Sequence, residues 1–174
     1  MSSIDRPVFR IAVFVIVRDD EGKILLQQRA DTEFLPGYYD FPSGHAECDE
    51  SFTQAAVREL AEEATLTCRE EDLHIIHLSQ NYVDEPYVNI VFEAAKWEGT
   101  PAIGEAEKCS DLGFFSPDAL PEKCTLAVRL LQQQNFQENL TTRYIDQAAY
   151  KQIMGGLHLV IYDSRRAIFI NCNQ

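Results

Sequence analysis

The stretch GHAECDESFTQAAVRELAEEATL, residues 44–66, contains the most informative pattern in the chain. Its residues Glu59, Glu62 and Glu63 are spaced i, i+3 and i+4, so a helix would carry three carboxylates on one face. Like charges at these spacings repel, but Mg²⁺ binds one or two carboxylates and completes its shell with water and substrate phosphates. The pattern predicts a metal site for phosphate chemistry, and a solvated acidic helix face is the alternative.

The residues around this cluster favour the metal site. Written as spacing, the segment is G-x5-E-x7-R-E-L-x-E-E-x-T-L, starting at Gly44. It resembles the Nudix box of the Nudix hydrolase superfamily, G-x5-E-x7-R-E-U-x-E-E-x-G-U, where U is a bulky aliphatic residue. Only the last glycine differs, and Thr65 stands there. Glycine adopts a positive φ more easily than a β-branched residue does, so we expect the helix to end differently here.

Two flanking stretches extend the resemblance over residues 9–136. GYYDFPSGHAE (residues 37–47) is similar to the entry segment of MutT-like nucleotide diphosphatases, and KWEGTPAIGEAEKCSDLGFFSPDALP (residues 96–121) resembles a later segment of the same branch. The residue patterns alone indicate only a mixture of helices and strands. The resemblance implies an α+β Nudix fold, an α/β/α sandwich with a mixed β-sheet.

The resemblance also implies an activity, the hydrolysis of a nucleoside diphosphate linked to another group. We expect a pyrophosphohydrolase that uses Mg²⁺, with Mn²⁺ as a substitute. Its expected substrate is a nucleoside triphosphate, ordinary or oxidised, split into nucleoside monophosphate and pyrophosphate. The alternatives are ADP-ribose or another nucleotide diphosphate derivative as the substrate, or a Nudix sensor that binds a nucleotide without cleaving it.

The box assigns candidate roles within this mechanism. The predicted metal ligands are the Gly44 carbonyl and the carboxylates of Glu59, Glu62 and Glu63. Glu62 is the neighbouring ligand or the base that orients the attacking water. The predicted catalytic residues are Arg58, Glu62 and Glu63, and Arg58 is expected to pair with a carboxylate such as Glu50 or Glu62.

Substrate contacts are expected outside the box. The candidates are Arg29 for phosphate, Glu105 and Glu107 for an additional acidic group, and Tyr82 for the base. Asp111 is a further acidic candidate. Base recognition by Asn81, Tyr39 or Phe41 is an alternative to simple packing of these side chains.

Local patterns predict the elements. Strands are expected at residues 9–17, 23–29 (returning beside the first), 73–83, 87–97 and 112–115. Ser51 with Gln54 forms a capping-box signature, and Phe52, Ala56 and Leu60 recur at helical spacing on a core-facing stripe. A second helix is expected at residues 125–134.

The 174 residues suit one domain. We predict a Nudix hydrolase domain at residues 1–136 and a C-terminal extension at 137–174. The extension is predicted to hold a short helix at 145–154 and a β-hairpin from 157–162 to 167–171. The hairpin extends the sheet, contacts a second copy in a homodimer, or covers the substrate.

The composition limits the partners. A net charge of −13 argues against a nucleic-acid polymer, because backbone binding needs clustered Lys and Arg. Five cysteines without a C-x-x-C pair predict free thiols in a reducing cytoplasm. Residues 11–17, the longest apolar run, are too few to cross a bilayer, and the N-terminus lacks signal-peptide features, so we expect no membrane contact.

Overall fold

The computed structural model describes residues 8–30, 32, 34–82, 85–136, 141–154, 159–163 and 166–170. The strands are β1 (Arg10–Ile16), β2 (Ile24–Arg29), β3 (Tyr39–Asp40), β4 (Ser43–His45), β5 (Leu73–Tyr82), β6 (Pro86–Ala94), β7 (Cys109–Phe115), β8 (Thr141–Ile145), β9 (Leu159–Asp163) and β10 (Arg166–Ile170). The α-helices are α1 (Phe52–Ala64), α2 (Leu126–Gln132) and α3 (Gln147–Ile153). No helix in the described part of the chain is long and apolar enough to span a membrane.

The largest sheet is mixed and has the strand order β4-β1-β6-β5-β8. Strand β1 runs parallel to β6 and antiparallel to β4, and β5 runs parallel to β8. A second, antiparallel sheet has the order β3-β2-β7. Within the described residues, β9 and β10 pair only with each other.

Helices cover both sides of these sheets. Val13 and Val15 of β1 pack against α1, whereas Phe14 and Ile16, which alternate with them, pack on the side of α2. Leu25 and Leu26 of β2 divide between the same two cores. The predicted α/β/α sandwich with a mixed sheet is therefore confirmed.

Helix α1 begins as its sequence predicts. The N–H of Gln54 donates to Ser51 Oγ at 3.1 Å, and the N–H of Ser51 donates to Gln54 Oε1 at 2.9 Å, which completes the capping box. The helix buries Ala55, Ala56, Leu60 and Ala64. Phe52 is 42% exposed, so its predicted place in the core is wrong. It is the first residue of α1, whose buried residues begin only at Ala55.

Three strand predictions need correction. β2 does not return beside β1, because after the turn at residues 18–24 only one bridge links Arg18 to Ile24. β2 pairs instead with β3 and β7 in the second sheet. β7 starts at Cys109, three residues before the predicted strand, since Cys109 and Asp111 still pair with β2. The predicted strand at 87–97 ends at Ala94.

The extension contributes to the large sheet through a strand that was not predicted. Strand β8 pairs with β5 from His77↔Thr141 to Asn81↔Ile145. Ile145 is buried with Tyr150 and Met154 against Leu126 and Leu130 of α2. The predicted short helix and hairpin are present as α3 and β9–β10, and the hairpin turn lies outside the described residues. The predicted domain boundary at residue 136, the homodimer contact and the lid stay predictions.

Candidate active site

The first element of the site is a direct contact between Glu59 and Gly44. Strand β4 pairs with β1 in the register Val13↔Gly44, and α1 packs over it. A Cβ added to Gly44 would lie 2.1 Å from both Cδ and Oε1 of Glu59, so the glycine leaves the space that the carboxylate fills. Burial raises the pKa of Glu59, opposed by the neighbouring Arg58.

One turn further along α1, Glu63 is held by two donors on a single oxygen. The backbone N–H of Ser43 lies 2.7 Å from Glu63 Oε2, and Gln27 Nε2 lies 2.5 Å from the same atom. Burial raises the pKa of Glu63 to about 7 although both donors favour the charged form. The carboxylate is therefore fixed in place, but burial disfavours its charged form.

Arg58 binds the acidic residues of the box together. It donates to Glu50 from Nε (3.0 Å) and Nη2 (2.7 Å), and the Arg58 hydrogen bond is the main cause that lowers the pKa of Glu50. Nη1 lies 2.7 Å from Glu59 Oε1 and 3.0 Å from Glu62 Oε2. Nη2 also donates to the His45 carbonyl at 3.0 Å, which ties the loop after β4 to the helix.

The donors present fit Mg²⁺. Glu59 and Glu63 are partly buried carboxylates with raised pKa values beside a glycine backbone, and a divalent cation favours their charged forms. Glu62 is half-exposed and faces Arg58. Among the described residues no three Asp, Glu, His or Cys side chains already form a cage. Mg²⁺ needs none, because it keeps several waters and takes one or two carboxylates.

A family model described as the NUDIX domain matches residues 8–136.

The chain belongs to the Nudix family. It is 43% identical over 54 residues to the uncharacterised Nudix hydrolase YfcD of Escherichia coli K12, a stretch that covers 30% of each protein. It is 30% identical over 86 residues to the 8-oxo-dGTP diphosphatase of the same strain, which covers 49% of this chain and 66% of that protein. The chain thus spans less than two thirds of the length of these curated relatives.

A solved structure supports the same placement. The MutT Nudix hydrolase from Burkholderia pseudomallei superposes with a TM-score of 0.65 at 27% identity, covering 75% of this chain and 98% of that chain. The predicted Nudix, MutT-like resemblance is confirmed.

The Nudix helix ends in the left-handed conformation despite lacking the final glycine of the box. Thr65 adopts φ 56° and ψ 25°, its N–H donates to Ala61 O at 3.1 Å, and the N–H of Leu66 reaches Leu60 O at 3.4 Å. The expectation of a different helix end is therefore wrong. The Thr65 hydroxyl donates to Thr100 O at 3.1 Å, which offsets part of the backbone strain.

The loop before β7 packs on this helix end. The N–H of Gly104 donates to Glu63 O at 3.0 Å, and a Cβ on Gly104 would lie 1.8 Å from Glu62 O. Of the acidic candidates nearby, Glu105 binds Lys108 through both carboxylate oxygens at 2.8 Å, whereas Glu107 is exposed. Lys108 also interacts electrostatically with Glu59 and Glu63, so this loop brings the positive charge of a lysine towards the site.

The remaining candidate substrate-binding residues lie on β2, on β5 and directly after β3. Arg29 ends β2, where its Nε donates to Phe34 O at 2.8 Å. Tyr82 ends β5 and packs edge-on against Phe9, with ring centroids 5.3 Å apart. Asn81 is buried beside it in the sheet, and Phe41 is fully buried in the core.

Tyr39 and Asp111 meet each other. The Tyr39 hydroxyl donates to Asp111 Oδ2 at 2.7 Å, and burial, followed by this contact, raises the pKa of Tyr39 to about 12. This pair links β3 to β7 across β2.

Three contributors to the site were missed in the sequence: Gln27, the Ser43 N–H and Asp40. Two strand pairings place them, since Gln27 of β2 lies opposite Asp40 of β3 and Ser43 of β4 lies opposite Phe14 of β1. The charge of Asp40 is one of the causes that raise the pKa of Glu63. Asp40 Oδ1 accepts from Thr125 Oγ1 at 2.7 Å and from the Phe41 N–H at 2.9 Å, yet burial raises its pKa to about 6. The available signal was weak: Gln27 directly follows the apolar run Ile24–Leu26, and Asp40 stands between the aromatic residues Tyr39 and Phe41.

Proposed function

We propose that this Nudix chain is a Mg²⁺-dependent pyrophosphohydrolase that converts a nucleoside triphosphate, ordinary or oxidised, into nucleoside monophosphate and pyrophosphate. The observation that carries the proposal is the pair of half-buried carboxylates, Glu59 and Glu63, fixed against the backbone of Gly44 and Ser43. An acidic helix face that served only solubility would leave these side chains in water.

The residues have distinct tasks in the proposed reaction. Bound Mg²⁺ supplies charge neutralisation at the phosphates and lowers the pKa of a water molecule. Glu59 and Glu63, with the Gly44 carbonyl, hold the cation. Arg58 orients Glu59 and Glu62 through Nη1.

Glu62 is the proposed base, because it is the most exposed of the three box carboxylates that Arg58 contacts. It takes the proton of the attacking water. A bond forms between the water oxygen and phosphorus as the bond from phosphorus to the bridging oxygen breaks. The leaving pyrophosphate carries away that electron pair.

Several features support a small nucleotide as the substrate. One relative is named an 8-oxo-dGTP diphosphatase, and the chain carries a net charge of −13, which disfavours a nucleic-acid polymer. Arg29 is the proposed phosphate contact, Tyr82 the proposed base contact, and Glu105 or Glu107 the additional acidic group. ADP-ribose or a related diphosphate is the second candidate substrate, and a non-catalytic nucleotide sensor is the alternative outside enzymes.

A cytoplasmic location belongs to this proposal. The cysteines of the described chain, Cys48, Cys68, Cys109 and Cys124, are all free thiols. Free thiols suit a reducing compartment.

The test is phosphate release, with added pyrophosphatase, from a panel of ordinary and oxidised nucleoside triphosphates, ADP-ribose and nucleotide sugars. The reactions contain Mg²⁺, Mn²⁺ or EDTA. Glu63→Gln should abolish turnover while keeping the fold. Glu71→Gln, which changes an exposed glutamate that pairs with Arg69, should leave turnover unchanged. Binding of one compound without turnover of any would favour the sensor.

A further inference from the structure

The side chain of Gln27 is unusual in its position. Gln27 lies on β2 two residues after the fully buried Leu25, so both face the core beneath α1. Gln27 is 4% exposed, and its Oε1 has no hydrogen-bond partner in the described structure. A buried amide with an unpaired oxygen costs free energy that an apolar residue would avoid. Stability alone does not explain this glutamine.

Its one described side-chain hydrogen bond goes to the site. Gln27 Nε2 donates to Glu63 Oε2 at 2.5 Å, the same oxygen that accepts the Ser43 N–H at 2.7 Å. With two donors on Oε2, the carboxylate cannot turn without losing both bonds. Oε1 is then the oxygen left to meet a cation. A polar residue that breaks the rules of core packing beside a functional carboxylate is typical of a functional site.

We propose that Gln27 is a positioning residue that holds Glu63 so that it binds the metal through Oε1 alone. This inference rests on the proposed metal-dependent function. Ligating carboxylates are themselves commonly hydrogen-bonded, and loss of such a partner typically costs about 10- to 100-fold in metal affinity or activity. Gln27 touches neither metal nor substrate in this role and acts only through Glu63.

The experiment replaces the amide by an apolar group of similar length, Gln27→Met. The matched control is Gln28→Met, the next residue, whose Nε2 donates to the Gly37 carbonyl at 3.2 Å on the other side of the strand. Mn²⁺ alone is titrated into each protein and the free ion is counted by electron paramagnetic resonance. Turnover is then measured against Mg²⁺ concentration and against nucleotide concentration.

We expect Gln27→Met to weaken Mn²⁺ binding and raise the Mg²⁺ requirement by about 10- to 100-fold. In Gln27→Met, the nucleotide KM at saturating Mg²⁺ should change by less than about threefold, because Gln27 does not touch the substrate. The control variant Gln28→Met should match the wild type in every measurement. Gln27→Asn, whose amide is too short to reach Glu63, should show the same defect. If Gln27→Met does not unfold cooperatively in urea, Gln27→Asn is used in its place.

A folded Gln27 variant that binds Mn²⁺ like the wild type would overturn the inference, even if the enzyme turns over as proposed. Conversely, weakened Mn²⁺ binding in a protein that hydrolyses nothing on the panel would retain the positioning role and remove the proposed function. Equal defects in the Gln27 and Gln28 variants would also overturn it, since they would reflect general disturbance of β2.

Discussion

Among single residues, Gly44 matters because Glu59 fits tightly against it. Backbone conformation does not demand a glycine at residue 44, because its φ lies outside the left-handed region. The space is what demands it, since the carboxylate of Glu59 occupies the position of a Cβ. The glycine of the box is thus explained by contact with a predicted metal ligand.

This fit predicts the effect of Gly44→Ala. The added methyl group should push the Glu59 carboxylate away, lowering Mg²⁺-dependent turnover by at least about tenfold with little change in folding. Gly113→Ala is the control, because a Cβ there meets Phe115 only at 3.7 Å. Kinetics and circular dichroism measure both variants. Wild-type turnover in Gly44→Ala would mean that Glu59 does not need its present position.

Asp40 gives a second prediction at this scale. Its folded pKa of about 6 lies above the ordinary value of 3.8, so protonation stabilises the fold below about pH 4, and this contribution is lost as the pH rises through 6. Asp40→Asn keeps an acceptor for Thr125 and removes the buried charge. We expect it to be more stable by about 1–3 kcal/mol at pH 8, with no difference near pH 4.

Urea unfolding at several pH values measures this effect. Thr125→Val should lower stability at every pH, since it removes the hydroxyl donor from Asp40. If Asp40→Asn were instead less stable than the wild type at pH 8, the charged carboxylate would be a stabilising group and the sign of the argument would be wrong.

At the scale of elements, α1 shows which features a sequence can reveal. Its start and its carboxylate spacing involve residues close together in the chain, so local pattern predicts them. The pairing of Arg58 with a carboxylate such as Glu50 was implied by the resemblance to the Nudix box. Gln27 and the Ser43 N–H reach Glu63 from β2 and β4, which belong to different sheets. Strand alternation specifies a face but not a partner, so these contacts could not be predicted.

The left-handed conformation of Thr65 at the end of α1 affects the stability of the protein. Thr65→Gly should stabilise the protein by about 0.5–1 kcal/mol, because glycine adopts the left-handed conformation without strain. Part of that gain is lost with the hydrogen bond to Thr100. Thr65→Ala should be destabilising, since it loses the same bond and keeps a Cβ. Thermal unfolding compares them, and equal stability of both variants would show that strain at residue 65 is small.

At the scale of the whole molecule, charge and metal binding should be coupled. The pKa of Glu63 is raised to about 7 from 4.5, so its protonation stabilises the metal-free fold below about pH 4.5, and this contribution is lost as pH rises through 7. A cation replaces that proton. Mg²⁺ should therefore raise the unfolding temperature more at pH 8 than at pH 6. At 100 times its Kd, Mg²⁺ should add about 2.7 kcal/mol to the free energy of unfolding.

Two controls separate this effect from simple screening of the net charge of −13. NaCl at matched ionic strength should stabilise far less than Mg²⁺. Glu63→Gln should be more stable than the wild type without metal at pH 8 and should respond weakly to Mg²⁺. An equal response of wild type and Glu63→Gln would place the cation elsewhere.

Whole-molecule topology was the part that local patterns predicted least. The resemblance to the Nudix family predicted the sandwich, and the strands β1, β5 and β6 follow from their apolar and β-branched content. Strand β3 has only two residues, and β8 has the sequence TTRYI without a clear apolar alternation. Strand β3 is too short to show a pattern, and β8 pairs with the distant strand β5, where Thr141 lies opposite His77, so local pattern identified neither strand.

The most direct test of the central claim is a ³¹P nuclear magnetic resonance time course of a nucleoside triphosphate with the wild-type protein, with and without Mg²⁺. We expect nucleoside monophosphate and pyrophosphate in equal amounts, only with the metal, and no reaction with Glu63→Gln. Release of inorganic phosphate and nucleoside diphosphate would contradict the proposed chemistry. An unchanged spectrum for every nucleotide tried, from a folded protein that binds Mn²⁺, would contradict the claim that the chain is an enzyme.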